Sequence, residues 1–402
     1  MSSAADTAAR LSAATSGLPA PVAVVDLDVF DTNARDLLKR ADGVPVRVAS
    51  KSVRVRSLVE RALEHGFAGT MAYSLREALW LVREGANDVL VGYPTVDRDA
   101  LAALAADARA RAEVTLMVDD VAHLGLVAAA DEASGRSGGT DPIKVCLDVD
   151  CSLRFGVGPL TAHLGVRRSP LREPGDVAAL ATVAQAKGLA VRGLMFYEAQ
   201  VAGLPDTSPA VRLVKRLSMR EVNERRVRIL AAVRDAVGQE VELVNAGGTG
   251  SIEVSGSAPG VTEVTSGSGL YTPGLFDGYR SFEARPAAFF GLDVVREPAP
   301  GWVTAFAGGY VASGKAGAAR VPRLFTPGYT LSGPEGVGEV QTPLRATRGS
   351  APDGQLHTGD RVWLRHAKAG EMMERFDQVH LVSGTEIVET VPTYRGEQKN
   401  FG

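Results

Sequence analysis

The sequence predicts an α/β protein, a TIM (β/α)8 barrel with a C-terminal all-β domain. Three observations carry that reading. Eight short apolar runs, from Val44–Ser50 to Thr262–Thr265, are mostly separated by segments of helical periodicity. Each run is continuously apolar, as expected of strands buried on both faces of a parallel sheet. From about Pro286 the helical period disappears, Gly and Pro become frequent, and short alternating segments take over. Eight βα units over about 250 residues is the size of a TIM barrel; a doubly wound sheet is the other arrangement of the same elements.

Taken in order, residues 1–20 are rich in Ala, Ser and Thr without an apolar core, and are read as a flexible tail. Residues 21–42 supply a strand at Pro21–Leu27 and a helix at Val29–Ala41, the strand expected to join the β domain. The barrel is assigned to 43–285. Its strands are Val44–Ser50, Phe67–Tyr73, Asp88–Tyr93, Val114–Val118, Ile143–Val149, Val191–Tyr197, Val241–Asn245 and Thr262–Thr265. Its helices are Arg56–His65, a helix opened by the capping-box spacing of Ser74-Leu-Arg-Glu77, Asp97–Arg109, Asp120–Glu132, Gly175–Lys187 and Met219–Val237. The β domain, 286–402, has strands at Val303–Phe306, Val340–Arg345, Asp360–Arg365, Val379–Val382 and Glu386–Val391.

Bulk properties narrow the function. A chain of 402 residues with 45% apolar and 23% charged residues builds a sizeable core and suggests two domains. A net charge of -3 with no basic stripe argues against nucleic acid. No apolar run reaches the length of a membrane span, so no membrane association is expected. Two cysteines, Cys146 and Cys151, make neither a disulfide framework nor a zinc site, which points to a reducing, cytoplasmic setting.

In a barrel, chemistry gathers at the C-terminal ends of the strands. The first strand closes on Lys51. An amine there must be paired or desolvated, and desolvation makes it a nucleophile for carbonyl compounds; the ordinary alternative is a strand-end lysine reaching solvent. The seventh and eighth strands end in Asn245-Ala-Gly-Gly-Thr-Gly250 and Ser266-Gly-Ser-Gly-Leu-Tyr271. Two glycine turns with the Thr249 and Ser268 hydroxyls form a concave site for a phosphate monoester. A tight turn alone would also explain the first of them. A lysine and a phosphate cradle across the barrel mouth are the two handles of pyridoxal 5'-phosphate.

With these residues in place, the chain resembles the alanine-racemase-type (fold type III) pyridoxal phosphate enzymes. The stretches that carry the resemblance are Val46-Arg-Val-Ala-Ser-Lys51, Leu147-Asp-Val-Asp-Cys-Ser-Leu-Arg-Phe-Gly156, Gly193-Leu-Met-Phe-Tyr197, Gly247-Gly-Thr-Gly250 and Gly267-Ser268. They are similar to the D-threonine aldolase and D-serine dehydratase branch. The resemblance implies Lys51 as the Schiff-base lysine and Arg154 and Tyr197 near the cofactor ring. It implies Gly247, Gly248, Thr249, Gly267 and Ser268 at the phosphate, with Tyr271 beside them, and a homodimer. In that branch a histidine and a cysteine or aspartate two residues later bind a divalent metal. The matching stretch here is Leu364-Arg-His-Ala-Lys-Ala-Gly-Glu371: His366 fits the first ligand, but Lys368 stands at the second, and an ammonium cannot ligate. Glu371 is the substitute to examine.

The implied activity is a lyase acting on a small β-hydroxy D-amino acid, by retro-aldol cleavage or dehydration, with His366 as base at the β-hydroxyl. Two alternatives stay open. One is an amino acid racemase with a second base such as Tyr310; the other is a pyridoxal phosphate carrier or regulator without turnover.

Overall fold

The computed structural model describes residues 3–156, 161–347 and 355–402. Eight parallel strands close into a barrel: Val46–Ala49, Gly69–Ala72, Val89–Val91, Val114–Val118, Lys144–Asp148, Ala190–Phe196, Leu243–Ala246 and Glu263–Ser266. The eighth pairs with the first, Thr265 opposite Arg47 and Ser266 opposite Val48. Closure excludes the doubly wound alternative.

Inside the barrel, near the strand starts, lies a layer of paired charge. Arg47 bonds Glu263 and Asp88, each at 2.7 Å, and Arg192 reaches Asp88 at 2.6 Å. Such charges survive burial because every one is paired and hydrogen-bonded. Leu90, Met117, Cys146, Met195 and Leu243 form an apolar layer inside the barrel, with Met71 and Tyr197 packed against it. Cys146 and Cys151 are both free thiols, buried.

The helices largely follow the expected positions, but the helix expected at Asp97–Arg109 is two, Arg98–Ala106 and Ala108–Glu113, broken at the extended Asp107. The helix before the seventh strand is Pro209–Val237, ten residues longer at its start, where Ser208 caps it through Val211 N and Pro209 takes the first position. A hairpin of Leu153–Phe155 and Ala162–Leu164 follows the fifth strand.

The N-terminal segment departs from expectation. Residues 1–20 were expected to be a flexible tail, but Ala4–Ala14 is a helix with a capping box between Ser3 and Asp6. It is held because Leu11 is fully buried and Arg10 forms an ion pair with the buried Asp26 carboxylate. Met1 and Ser2 lie outside the described residues.

Val22–Asp26 lies inside the C-terminal sheet, antiparallel to Ala288–Ala299 (Val22 opposite Gly291) and parallel to Gln378–Ser383 (Val24 opposite His380). Further strands, including Trp302–Phe306, Gln341–Ala346, Arg361–Arg365 and Glu386–Pro392, complete it. One apolar core joins this sheet to the barrel: Phe30, Val46 and Leu270 pack in the same cluster as Phe290, Met372 and Leu381. The β domain is thereby fixed against the first and eighth strands. Among the described residues no helix is long and apolar enough to cross a membrane.

Candidate active site

The first strand ends at Ala49, and the chain leaves it through one 3-10 turn, Ser50–Ser52. Ser50 is buried, its hydroxyl donating to the Met71 carbonyl at 3.0 Å, while Lys51 is exposed at the barrel mouth. The expectation of a desolvated amine is therefore corrected: the turn lifts the side chain past the last buried residue of the strand. Pairing is what it has instead. Lys51 Nζ donates to the Tyr93 hydroxyl at 2.5 Å. Burial pushes the Tyr93 phenol up, but Lys51 outweighs it, Arg168 and Lys368 add to the pull, and the net shift is downward.

Arg168, in the loop before helix Pro174–Ala186, organises the other side of the mouth. Its guanidinium lies 5.3 Å from the ring centres of both Tyr93 and Tyr197, a cation clamped between two aromatic faces. Its Nε donates to Asp148 at 3.2 Å and its Nη2 to the Gly92 carbonyl at 3.1 Å. Burial raises Asp148 to about 6, with Arg168 opposing the rise. Sequence reading missed Arg168. Arg167-Arg168-Ser169-Pro170 carries no motif, and only the folded loop brings it to the strand ends.

The two glycine turns meet as expected, but beside Lys51 rather than across from it, because the eighth strand neighbours the first. Thr249 Oγ1 lies 2.8 Å from Ser266 Oγ and 3.1 Å from Ser268 Oγ, and accepts from Gly269 N at 3.0 Å. A Cβ at Gly267 would stand 2.4 Å from the Ala49 carbonyl oxygen, and one at Gly248 would come within 3.5 Å of the Tyr197 ring. Glycine is what lets the Gly267 turn approach the first strand, while at Gly248 the tight neighbour is Ala202 Cβ, at 3.0 Å. Gly247, at φ +75°, donates its N–H to the buried Glu198 carboxylate at 3.0 Å, so it anchors the turn from behind. Hydroxyls between two Cβ-free turns fit a phosphate, and the neighbouring amine fits an aldehyde: these residues suit pyridoxal phosphate.

The remaining expected residues have the following surroundings. Arg154, on the hairpin, is bonded to Asp150 at 2.6 Å and Ser152 at 3.2 Å. Tyr271 is fully buried, and its hydroxyl is spent on the Val53 carbonyl at 3.0 Å, so it supports the site from below. Tyr310 is half-buried among aromatic rings, 4.9 Å from Phe290 and 5.6 Å from Phe376, and burial raises its pKa. His366 is 2% exposed and packed edge-on to Tyr271 at 6.0 Å, and among the described residues neither ring nitrogen has a side-chain hydrogen-bond partner. Burial holds its pKa down to about 3, with Arg365 adding to the effect. An imidazole so enclosed, with burial holding its pKa down, gives the role of base at a substrate hydroxyl no support.

The loop after His366 nevertheless belongs to the site. Gly370, at φ +79°, lies against the first-strand turn so closely that a Cβ there would be 2.0 Å from the Lys51 carbonyl oxygen. Lys368 Nζ donates to Ser313 Oγ at 2.7 Å and pairs with Glu371 at 3.0 Å, and Glu371 also accepts from Ser313 N at 2.7 Å. A divalent ion does not fit this set. The carboxylate is already engaged by an ammonium, the histidine stands alone, and the described residues hold no group of three or more ligating side chains.

Glu77 was expected only to cap a helix. Ser74 does accept from Glu77 N, but the Glu77 carboxylate accepts from Tyr73 N at 2.7 Å and from the Tyr394 hydroxyl at 2.9 Å, fully buried beneath the Ser50 turn. Burial raises it to about 7, against opposing hydrogen bonds from Ser50, Tyr73 and Tyr394. The native state thus keeps a proton that the unfolded chain loses near pH 4.5. Stability contributed by that proton is full below the unfolded value and is lost as pH rises through about 7. Thermal unfolding of Glu77→Gln from pH 5 to 8 is expected to show the variant gaining on wild type by a few kcal/mol, at about 1.4 kcal/mol per pKa unit. A constant difference across that range would refute the buried acid.

Comparison with known proteins agrees with this geometry. A family model described as alanine racemase, N-terminal domain, matches residues 25–273. The fold is similar to D-threonine aldolase from Filomicrobium marinum, with TM-score 0.79 and 22% identity over 94% of this chain and 96% of that one. It is also similar to D-threo-3-hydroxyaspartate dehydratase from a Delftia species, with TM-score 0.72 and 21% identity over 94% and 98%. Alanine racemase from Corynebacterium glutamicum aligns over 85% and 89%, with TM-score 0.56 and 19% identity. No curated protein sequence matches. With the family model covering more than half of its length, the chain belongs to the alanine racemase N-terminal domain family of fold type III pyridoxal phosphate enzymes.

Proposed function

We propose that this protein is a pyridoxal phosphate-dependent lyase acting on a small β-hydroxy D-amino acid. The observation that carries the reading is the Lys51 amine, bonded to Tyr93 at the barrel mouth and flanked by the Thr249–Ser268 cradle. The likeness to D-threonine aldolase and to a hydroxyaspartate dehydratase extends over both domains and supports the choice of lyase. Tyr310, enclosed among aromatic rings, gives the racemase alternative no support as a second base.

Pyridoxal phosphate, when bound, supplies an aldehyde for amines and an electron sink for the bond broken at Cα. The chain's own residues do the rest. Thr249 and Ser268 hold the phosphate between the Gly248 and Gly267 turns. The Lys51 amine would stand at the aldehyde end of the cofactor, where it is held by its hydrogen bond to Tyr93. Tyr93 Oη accepts the hydrogen bond of Lys51 Nζ and so orients the amine at the barrel mouth. Arg168 fixes Tyr93 and Tyr197 as the side walls. A homodimer is part of this proposal and is checked by light scattering.

The test is product formation by the cofactor-loaded protein from D- and L-threonine, D- and L-serine and D-threo-3-hydroxyaspartate. Aldehyde and glycine mark cleavage; a 2-oxo acid and ammonia mark dehydration. Turnover of the D-substrates is expected. No product from any of them, with cofactor bound, overturns the reading.

A further inference from the structure

The metal does not fit, yet either lyase reaction builds negative charge on the substrate's β-oxygen, and that charge needs a fixed positive partner. Resting on the lyase reading above, we propose that the Lys368 ammonium is that partner, donating a charge-assisted hydrogen bond to the β-oxygen where a divalent ion would otherwise stand.

Placement supports it first. Gly370 rests on the Lys51 carbonyl, so the loop carrying Lys368 is seated on the very turn that presents the cofactor lysine. Lys368 is near enough to pull on the Tyr93 phenol, whose hydroxyl bonds Lys51. Two residues before Gly370, it is carried to the end of the mouth where Lys51 stands.

Preorganisation comes second. An ammonium has three donors. Lys368 gives one to Ser313 Oγ and one to Glu371, and the third has no partner among the described residues. Glu371 is in turn held by the Ser313 N–H and hydroxyl, at 2.7 Å and 2.5 Å. The cation is thus anchored on two sides and open on one. It is 41% exposed, so a ligand can reach it.

The other positive groups nearby are occupied. Arg168 is committed to Asp148, to the Gly92 carbonyl and to two aromatic faces, and Lys51 to the cofactor. Arg54 is bonded to Glu374. Lys368 would bind the β-oxygen and leave proton transfer to Lys51. In cleavage the amine freed from the cofactor would take the β-hydroxyl proton and return it to Cα; in dehydration it would take the Cα proton and give it to the departing hydroxide as water.

The experiment uses full-length protein loaded with pyridoxal phosphate, before and after exhaustive chelation, with metal content measured by atomic emission. Wild type is expected to carry no stoichiometric zinc or manganese and to retain its rate within twofold. Lys368→Met is expected to lower kcat/KM at least 100-fold for β-hydroxy substrates, with the visible cofactor band unchanged. Its exchange of the Cα proton of D-alanine, which has no β-oxygen, should match wild type; a merely structural role would lower both. Lys368→Arg, which keeps the charge, should retain a tenth of the activity or more. If Lys368→Met fails to fold, the arginine variant and chelation decide. Loss of wild-type activity on chelation with recovery on adding zinc or manganese overturns the inference and leaves the lyase reading intact, as does a Lys368→Met within threefold of wild type. Wild type that binds cofactor and turns over no β-hydroxy amino acid overturns both.

Discussion

Lys51→Ala is expected to abolish the visible absorbance of added pyridoxal phosphate and to lower kcat/KM by a factor on the order of 1000 or more. The fold should barely notice. The side chain is exposed, stands on a one-turn helix, and has a hydrogen bond to Tyr93 worth about 1 kcal/mol. Borohydride treatment followed by peptide mapping should place the reduced cofactor on Lys51 in wild type and on no residue in the variant. A variant that keeps both band and turnover would remove the lysine from the chemistry. A variant that loses both together with cooperative unfolding would give the residue a structural role this geometry does not provide.

The second large effect is expected far along the chain, at Gly370→Ala. Its backbone, at φ +79° and ψ -43°, suits glycine, and a side chain there costs about 1–3 kcal/mol in strain. The new methyl would also meet the Lys51 carbonyl at 2.0 Å, with Ser52 Cα at 3.1 Å, so one of the two backbones must move. A total loss of roughly 3–5 kcal/mol in denaturant unfolding follows, together with weaker cofactor binding, because the segment displaced is the turn bearing Lys51. Gly125→Ala makes the control. It lies in helix Val121–Ala133 with open space around it, and should gain about 0.5–1 kcal/mol. Equal behaviour of the two variants would mean that the loop does not rest on Lys51.

These two residues mark how far the site could be read before folding. Lys51 was legible because a charged residue ending a buried apolar run is conspicuous, and the cradle because two Gly-rich turns follow the last two strands. The strand count was legible for a simpler reason: parallel strands covered on both faces have no polar side to blur the pattern. Arg168 was not legible, since its place between Tyr93 and Tyr197 is made by a loop that joins the fifth strand to its helix. The burial of His366 was equally hidden. It depends on Tyr271 and on the sheet behind it, and short irregular stretches leave no periodic trace of which side faces inward. The Ala4–Ala14 helix was missed because alanine-rich composition reads alike in a tail and in a helix. What decides it is a tertiary contact, Arg10 with Asp26.

The strand Val22–Asp26 has a consequence for the order in which the protein is made. It precedes the barrel in the chain, yet its sheet partners begin at Ala288 and Gln378, so the whole barrel is synthesised while it waits. Contacts this distant in sequence close slowly. Until they do, Val22, Ala23, Val24 and Val25, all buried at the end, stand exposed on a nascent chain. The sheet is therefore completed only after the barrel has been made, and the Gly370 loop reaches Lys51 only then. The Lys51 amine acquires its full surroundings only when that sheet closes, and not before.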